Sequence, residues 1–208
     1  MSAVLPAADP LDADVLEAVR KTLAEGFPVG LPTDTVYVLA VDPFVAGASD
    51  RLFSVKRRPR DLDLPVLVGT LEQALGLVTA LPDPARRLME RCWPGPLTLV
   101  LPRHPDLAAD LGDDELTVGV RMSAHPVLLT LCRIIGPLGV ATAGIQGERE
   151  LETAEEVAET FGAAVPIVLD GGRCAGLPAT VLDATGEDLH LIREGRLSWS
   201  DALAAIHD

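Results

Sequence analysis

Positive charge is concentrated at one place in the chain, the segment Lys56-Arg57-Arg58-Pro59-Arg60. About twenty residues earlier, Pro32-Thr33-Asp34-Thr35 carries two hydroxyls and a carboxylate. Lysine and arginine at a helix end can bind a phosphate or a carboxylate, but they also suit the helix dipole without any ligand. The threonines can either contact an anion or close a turn with their own backbone. The two segments predict a local anion pocket, with a solvent-exposed helix end as the alternative.

Two further arginines follow apolar segments that are typical of β-strands. Arg121 ends the run Thr117-Val118-Gly119-Val120, and Arg193 ends another. Because α/β proteins bind ligands in crevices at strand ends, we expect Arg121 to point into such a crevice. A salt bridge at the sheet edge is the alternative.

Several common catalytic patterns are missing from the sequence. It contains no complete Walker A motif, no G-x-G-x-x-G, and no Ser/His/Asp or Cys/His spacing that stands out. The histidines do not cluster, and the three cysteines are widely spaced without C-x-x-C. We therefore expect no metal ligands and no disulfide framework, in keeping with a reducing cytoplasm.

The overall charge limits the possible partners. The chain has 17 Lys+Arg against 31 Asp+Glu, a formal net charge of −14. Such a field repels polyanions, so we expect no stable direct nucleic-acid binding and no attraction to anionic membranes. A focused site for a small anion is still compatible with it. No apolar run reaches the roughly 20 residues of a membrane span, which also favours a cytoplasmic protein.

Hydrophobic periodicity and turn residues predict seven helices and nine strands. The helices are expected over 14–24, 48–56, 70–79, 84–93, 125–135, 153–161 and 198–206. The strands are expected over 27–31, 36–41, 64–68, 97–101, 116–122, 139–143, 165–169, 179–183 and 190–193. This irregular alternation indicates one α/β domain around a large mixed sheet. We expect a flexible leader at residues 1–12 and a single domain over 13–208.

A set of motifs in unbroken order resembles the YrdC/YciO family in its short, single-domain form. The matching pieces are Pro32–Tyr37, Lys56–Pro59, Trp93–Leu101, Val118–Arg121 with His125-Pro126, Gly136–Leu138, Leu169–Gly172, Thr180–Asp183 and Ile192–Gly195. The resemblance implies a YrdC-like (DHBP synthase-like) fold. In that fold a twisted sheet with parallel and antiparallel strands, flanked by helices, bears a concave pocket.

The resemblance also implies an activity. Family members are nucleotidyltransferases that form L-threonylcarbamoyladenylate from L-threonine, bicarbonate and ATP, and release pyrophosphate. The product supplies N6-threonylcarbamoyladenosine in tRNA, through downstream threonylcarbamoyl transfer proteins. ATP is a substrate, and Mg²⁺ is the expected metal.

Residue roles are implied by position in the same motifs. Lys56 and Arg58 would be catalytic. Threonine would be bound by Thr33, Thr35, Lys56, Arg121 and Thr180, and the nucleotide by Arg58, Thr142, Gly144 and Arg193. No metal ligand is implied, and Arg57 and Arg60 would face solvent.

The chain departs from the family pattern at five positions, as a divergent member would. Val38 and Ala40 stand where the family keeps glycine, Gly144 replaces an asparagine, and Gln146 and Ala179 replace serines. Each lost hydrogen bond to a charged ligand costs about 1.5–3 kcal/mol. The departures keep three alternatives open: a non-catalytic paralogue that binds a nucleotide or anion, an RNA-binding paralogue, and an adenylating enzyme with another carbamoyl donor.

Overall fold

Seven α-helices form in residues 1–174 and 176–207, the part of the chain that the computed structural model describes. They are α1 (Ala13–Ala24), α2 (Ala48–Lys56), α3 (Leu71–Leu75), α4 (Asp83–Cys92), α5 (Pro126–Ile135), α6 (Ala154–Phe161) and α7 (Trp199–His207). A 3₁₀ turn, Gly162–Ala164, follows α6. All seven predicted helices are confirmed, although α3 ends at Leu75 instead of Thr79. Gly76 caps it, and Val78 instead forms a β-bridge with Arg103.

Local hydrogen bonds explain where several helices begin. The Asp12 carboxylate accepts from the backbone N–H of Asp14 at the start of α1. The hydroxyls of Thr70 and Thr153 accept from the N–H groups of Gln73 and Glu156 at the starts of α3 and α6. These contacts satisfy N–H groups that have no partner inside the helix, so the capping signals are readable from the sequence.

Ten strands form one sheet in the described residues. They are β1 (Ala3–Pro6), β2 (Val29–Leu31), β3 (Val38–Val41), β4 (Val66–Leu67), β5 (Leu97–Pro102), β6 (Thr117–Arg121), β7 (Leu138–Thr142), β8 (Ile167–Asp170), β9 (Thr180–Asp183) and β10 (His190–Arg193). Their order is β1-β8-β2-β3-β7-β4-β6-β5-β9-β10. Four neighbouring pairs are parallel (β1/β8, β2/β8, β4/β6, β5/β9) and five are antiparallel, which confirms the predicted mixed sheet.

The N-terminal segment differs from the expected leader. Ala3–Pro6 form β1, an edge strand whose Val4 pairs with Val168 of β8. Leu5 packs against the cluster beneath α1 and α5. Residues 3–6 of the expected leader are therefore a strand. The sequence alone does not predict it, because the partner of this short apolar run lies some 160 positions away.

Helices cover the two faces of the sheet unequally. One face packs against α2, α3, α4, α6 and α7 in a large cluster that includes Leu52, Leu88 and Val157. On the other face, α1 and α5 form a smaller cluster that includes Val19 and Leu131. Within the described residues this smaller cluster takes no side chain from β5, β6 or β9. The part of the second face over these strands is left as a concave surface.

The side chains on this concave surface follow from strand alternation. Leu97, Leu99 and Leu101 of β5 point into the large cluster, so Thr98 and Val100 face the other way. Among the described helices, none is both long and apolar enough to cross a bilayer.

Candidate active site

A cleft of about 410 Å³ lies on the concave surface, within the usual size range of small-molecule sites. Its floor is formed by Thr98, Val100, Gly119 and Val181. A narrower recess continues from it and shares Thr98, Pro65 and Arg193 with the cleft. The residues of the recess include Thr35, Val38, Arg121, Val140, Thr142 and Ala179. Below, the word cleft includes this recess. Together the two parts confirm the predicted concave pocket.

Arg121, the last residue of β6, is buried beside the recess. Its Nε donates to the Gly95 carbonyl at 3.0 Å, its Nη1 to Thr35 Oγ1 at 3.1 Å and its Nη2 to Asp34 Oδ1 at 2.7 Å. Burial lowers the pKa of Arg121, the Asp34 carboxylate opposes this, and the like charges of Arg193 and Arg196 add to the lowering. The arginine is thus held rigidly next to two other cations.

Thr33 and Thr35 lie in the turn between β2 and β3. The Thr33 hydroxyl donates to the Val36 carbonyl at 2.7 Å and accepts from the Thr35 N–H at 2.9 Å. Thr35 lines the recess, whereas the Thr33 hydroxyl is used inside the turn. The turn-closing alternative therefore applies to Thr33, whereas Thr35 lies in the wall of the recess.

Lys56, the last residue of α2, is only 2% exposed. Its Nζ donates to the Thr142 carbonyl and lies 3.5 Å from Thr142 Oγ1. Burial lowers the pKa of Lys56 to about 8, the Glu150 carboxylate opposes this, and Arg58 adds to it. Because burial destabilises the charged form of Lys56, an anion bound nearby would stabilise that form.

Arg57 ends α2 in a left-handed conformation (φ 54°), and this turns the next residue toward the cleft. Arg58 lines the cleft, and its guanidinium donates to the carbonyls of Leu62 and Asp63 at 2.7 and 3.0 Å. Arg57 is exposed. Arg60 faces away and forms ion pairs with Asp50, Asp110 and Asp113. The helix end thus separates the four cations: Arg58 lines the cleft and Lys56 is buried behind the wall of the recess, whereas Arg57 is exposed and Arg60 is ion-paired.

Arg193 and Thr180 belong to the far strands of the sheet. Arg193 of β10 lines both parts of the cleft and donates to the Ala179 carbonyl at 3.0 Å. The Thr180 hydroxyl is fully buried, where it donates to the Leu197 carbonyl and accepts from the Gly195 N–H at 2.9 Å. Thr180 therefore fastens the segment after β10 to β9, and its hydroxyl is directed there.

Most of the chain is similar to one known protein family. The Sua5/yciO/yrdC family model, described as "Telomere recombination", matches residues 21–195. The chain belongs to the Sua5/YciO/YrdC family. A Mycobacterium tuberculosis relative is 41% identical over 173 residues, which cover 82% of this chain and 79% of that protein.

Further relatives connect the family to a fold and an activity. A Shigella flexneri protein named threonylcarbamoyl-AMP synthase is 33% identical, over 89% of this chain and 98% of its own length. The crystal structure of Pyrococcus abyssi Sua5 complexed with L-threonine superposes with a TM-score of 0.89 and 30% identity. That match covers 99% of this chain, which spans 61% of the Sua5 chain.

The loop after β7 is where this Sua5/YciO/YrdC member departs most from the family pattern. Gly144 has φ +133°, and a Cβ there would lie 2.6 Å from the Arg149 carbonyl oxygen. The asparagine implied by the resemblance cannot be accommodated in this backbone. Gln146, in place of a serine, contacts the cation segment: its N–H donates to the Lys56 carbonyl, and its Oε1 accepts from Arg58 at 3.3 Å.

The other departures lie at different depths. Val38 and Ala179 line the recess, so their side chains add bulk or remove a hydroxyl where a ligand would lie. Ala40 is fully buried in the cluster beneath α1 and α5. Its extra methyl therefore packs in the core and does not contact a ligand.

Three residues with a place in the site were not assigned from the sequence: Asp34, Glu150 and Arg196. Asp34 bonds Arg121, Glu150 acts electrostatically on Lys56, Arg58 and Arg193, and Arg196 donates to the Asp34 carbonyl. Asp34 stands inside a matching motif, which was a usable signal. No motif marks Glu150 or Arg196.

Proposed function

We propose that this protein forms threonylcarbamoyl-AMP from L-threonine, bicarbonate and ATP, with release of pyrophosphate. The observation that carries the proposal is the convergence of three arginines on one cleft of an acidic protein, with a buried lysine behind the wall of its recess. Arg58 and Arg193 line it, Arg121 lines its recess, and Lys56 bonds Thr142 in the recess wall. Relatives named threonylcarbamoyl-AMP synthase support the same activity.

The reaction requires this kind of site. The threonine amine combines with bicarbonate, with loss of water, to give an N-carboxylate. Its oxygen attacks the α-phosphorus of ATP while the bond to pyrophosphate breaks. Negative charge grows on the departing group, and fixed cations in a partly dry cleft stabilise it without reorganising. In our proposal Arg121 holds the threonine carboxylate, while Lys56, Arg58 and Arg193 hold phosphate oxygens. No covalent nucleophile is needed, in keeping with the lack of a triad in the sequence.

A resident metal does not fit the described residues. Within residues 1–174 and 176–207, no group of three or more His, Cys, Asp or Glu side chains could hold a metal ion. We therefore propose that Mg²⁺ enters with the nucleotide, as the MgATP substrate. We also propose that the protein works in the cytoplasm and passes its product to threonylcarbamoyl transfer proteins.

The test is pyrophosphate release measured with and without L-threonine, with bicarbonate, ATP and Mg²⁺ present. We expect threonine-dependent release in the wild type and loss of at least a hundredfold in Lys56→Ala, since a lost charged contact is worth about 3 kcal/mol or more in a desolvated site. ATP binding by calorimetry without threonine-dependent release would favour the non-catalytic alternative instead.

A further inference from the structure

The Asp34 carboxylate is a node of hydrogen bonds outside the roles assigned so far. Its Oδ1 accepts from Arg121 Nη2 at 2.7 Å, from the Ala124 N–H at 3.1 Å and from the Ser123 hydroxyl. The side chains of Asp34 and Arg121 are 15% and 6% exposed. An ion pair at this depth is tightly ordered, because each charge would be costly to leave unpaired.

The hydrogens of Arg121 can be accounted for one by one. A guanidinium carries five N–H groups. Nε–H is used by the Gly95 carbonyl, one Nη1–H by Thr35 Oγ1, and one Nη2–H by Asp34 Oδ1. Within residues 1–174 and 176–207, one N–H on each Nη atom has no partner and is left for a ligand. Such a pair can hold both oxygens of a carboxylate.

The threonine hydroxyls on either side of Asp34 are oriented as well. Thr33 spends its hydrogen on the Val36 carbonyl, so in the 2.8 Å contact between the two hydroxyls Thr35 is the donor. The remaining lone pair of Thr35 Oγ1 then accepts from Arg121. Asp34 and Thr35 therefore present fixed acceptors to the guanidinium, and neither threonine hydroxyl directs its hydrogen at a ligand.

We propose that Asp34 is a positioning residue that aims Arg121 at the carboxylate of the amino-acid substrate. The inference deepens the proposed function and rests on it. Arg193 and Arg196 repel Arg121, and Arg196 donates to the Asp34 carbonyl. A buried guanidinium under such repulsion would turn away from its neighbours if Asp34 did not hold it. Asp34 keeps the two remaining N–H groups of the Arg121 guanidinium directed into the recess.

The decisive variant is Asp34→Asn, because it preserves shape while it removes the charge. Loss of a negative charge beside the recess would by itself tighten binding of an anionic group. The positioning role predicts the opposite: an increase of tenfold or more in the Kd for L-threonine, with the Kd for MgATP changed less than twofold. Asp42→Asn is the matched control. Asp42 also accepts a backbone N–H, from Phe44, just after a strand, and we expect both affinities to stay unchanged.

The measurement is calorimetry with L-threonine and with MgATP separately, together with the melting temperature. Unchanged or tighter threonine binding in Asp34→Asn would overturn the positioning role, as would an equal loss of both ligands. If Asp34→Asn does not fold, Thr35→Val removes the other side-chain acceptor of the same guanidinium and must show the same selective loss. A wild type that binds no threonine refutes the proposed function as well, so the two failures are distinguishable.

Discussion

The ammonium group of Lys56 is already buried in the ligand-free fold. Its pKa of about 8, against an ordinary 10.5, measures how much the folded protein disfavours the charge. A bound phosphate would restore the lost solvation. Burial of the Lys56 charge therefore lowers folding stability and increases affinity for an anion. Both effects can be measured.

Removal of the ammonium should stabilise the protein. The unfolded lysine titrates near 10.5 and the folded one near 8, so between these values the unfolded chain binds more protons and stability rises with pH. We expect Lys56→Met to raise the free energy of unfolding at pH 7 by about 1–3 kcal/mol, from 1.36 kcal/mol per pKa unit less the lost hydrogen bonds. Denaturation at pH 7 and pH 10 checks this, and the gain should shrink at the higher pH. A variant less stable at both values contradicts the argument.

Binding should lose strength over the same pH range. ATP prefers the charged form of Lys56, which is the main form of the free protein only below about pH 8. We expect the Kd for MgATP to rise above that pH, toward tenfold per unit. Lys56→Arg, whose guanidinium stays charged, should give a flat profile from pH 7.5 to 9.5. A wild-type profile as flat as that of the variant would show that Lys56 does not meet the nucleotide.

At the scale of elements, local signals were predictable and long-range pairing was not. The caps at Thr70 and Thr153 lie within three residues of their partners, so both helices were found from the sequence. Strand β1 was missed because its four residues have meaning only beside β8. The same limit applies to the site: Arg121 was recognised from its strand, but the bonds that Asp34 makes span 87 to 90 positions. The spacing of residues along the sequence does not indicate contacts over such separations.

The loop after β7 gives a prediction at this scale. Gly144→Asn restores the residue implied by the family pattern, yet its Cβ would lie 2.6 Å from the Arg149 carbonyl oxygen at a φ of +133°. We expect the free energy of unfolding to fall by about 1–3 kcal/mol, the usual cost of a strained backbone. Urea denaturation checks it.

Gly147→Asn is the matched control, because Gly147 also has a positive φ (+86°) but a Cβ there meets nothing within 4 Å. Asparagine tolerates the left-handed region better than other side chains, so this variant should lose little. Equal losses in the two variants would mean that the loop rearranges freely and that the clash is not decisive.

At the scale of the whole molecule, the β1 edge of the sheet lies apart from the strands that form the cleft. Strand β1 lies at one end of the strand order, whereas the cleft residues come from β3, β4, β5, β6, β7, β9 and β10. A change at the β1 edge should therefore alter the free energy of folding and leave the affinity for the ligand unchanged.

Deletion of residues 2–6 tests this separation. It removes β1 and the contact of Leu5 with the cluster beneath α1 and α5. We expect a loss of about 1–2 kcal/mol, or roughly 3–6 °C in melting temperature. The Kd for MgATP at 20 °C should stay within twofold. A full-stability deletion variant would support the loose leader expected from the sequence, and a large loss of affinity would contradict the separation.

The strand order also determines when a newly made chain first becomes functional. Thr35 lies near the start, yet the recess it lines is completed by Ala179 and Arg193, after β9 has paired with β5. During synthesis the ribosome holds back the most recent residues, and the chain elongates at about 5–20 residues per second. Until the segment that contains Ala179 and Arg193 has left the ribosome, the recess lacks part of its lining. Nucleotide binding would therefore report that the chain has been made at least as far as Arg193.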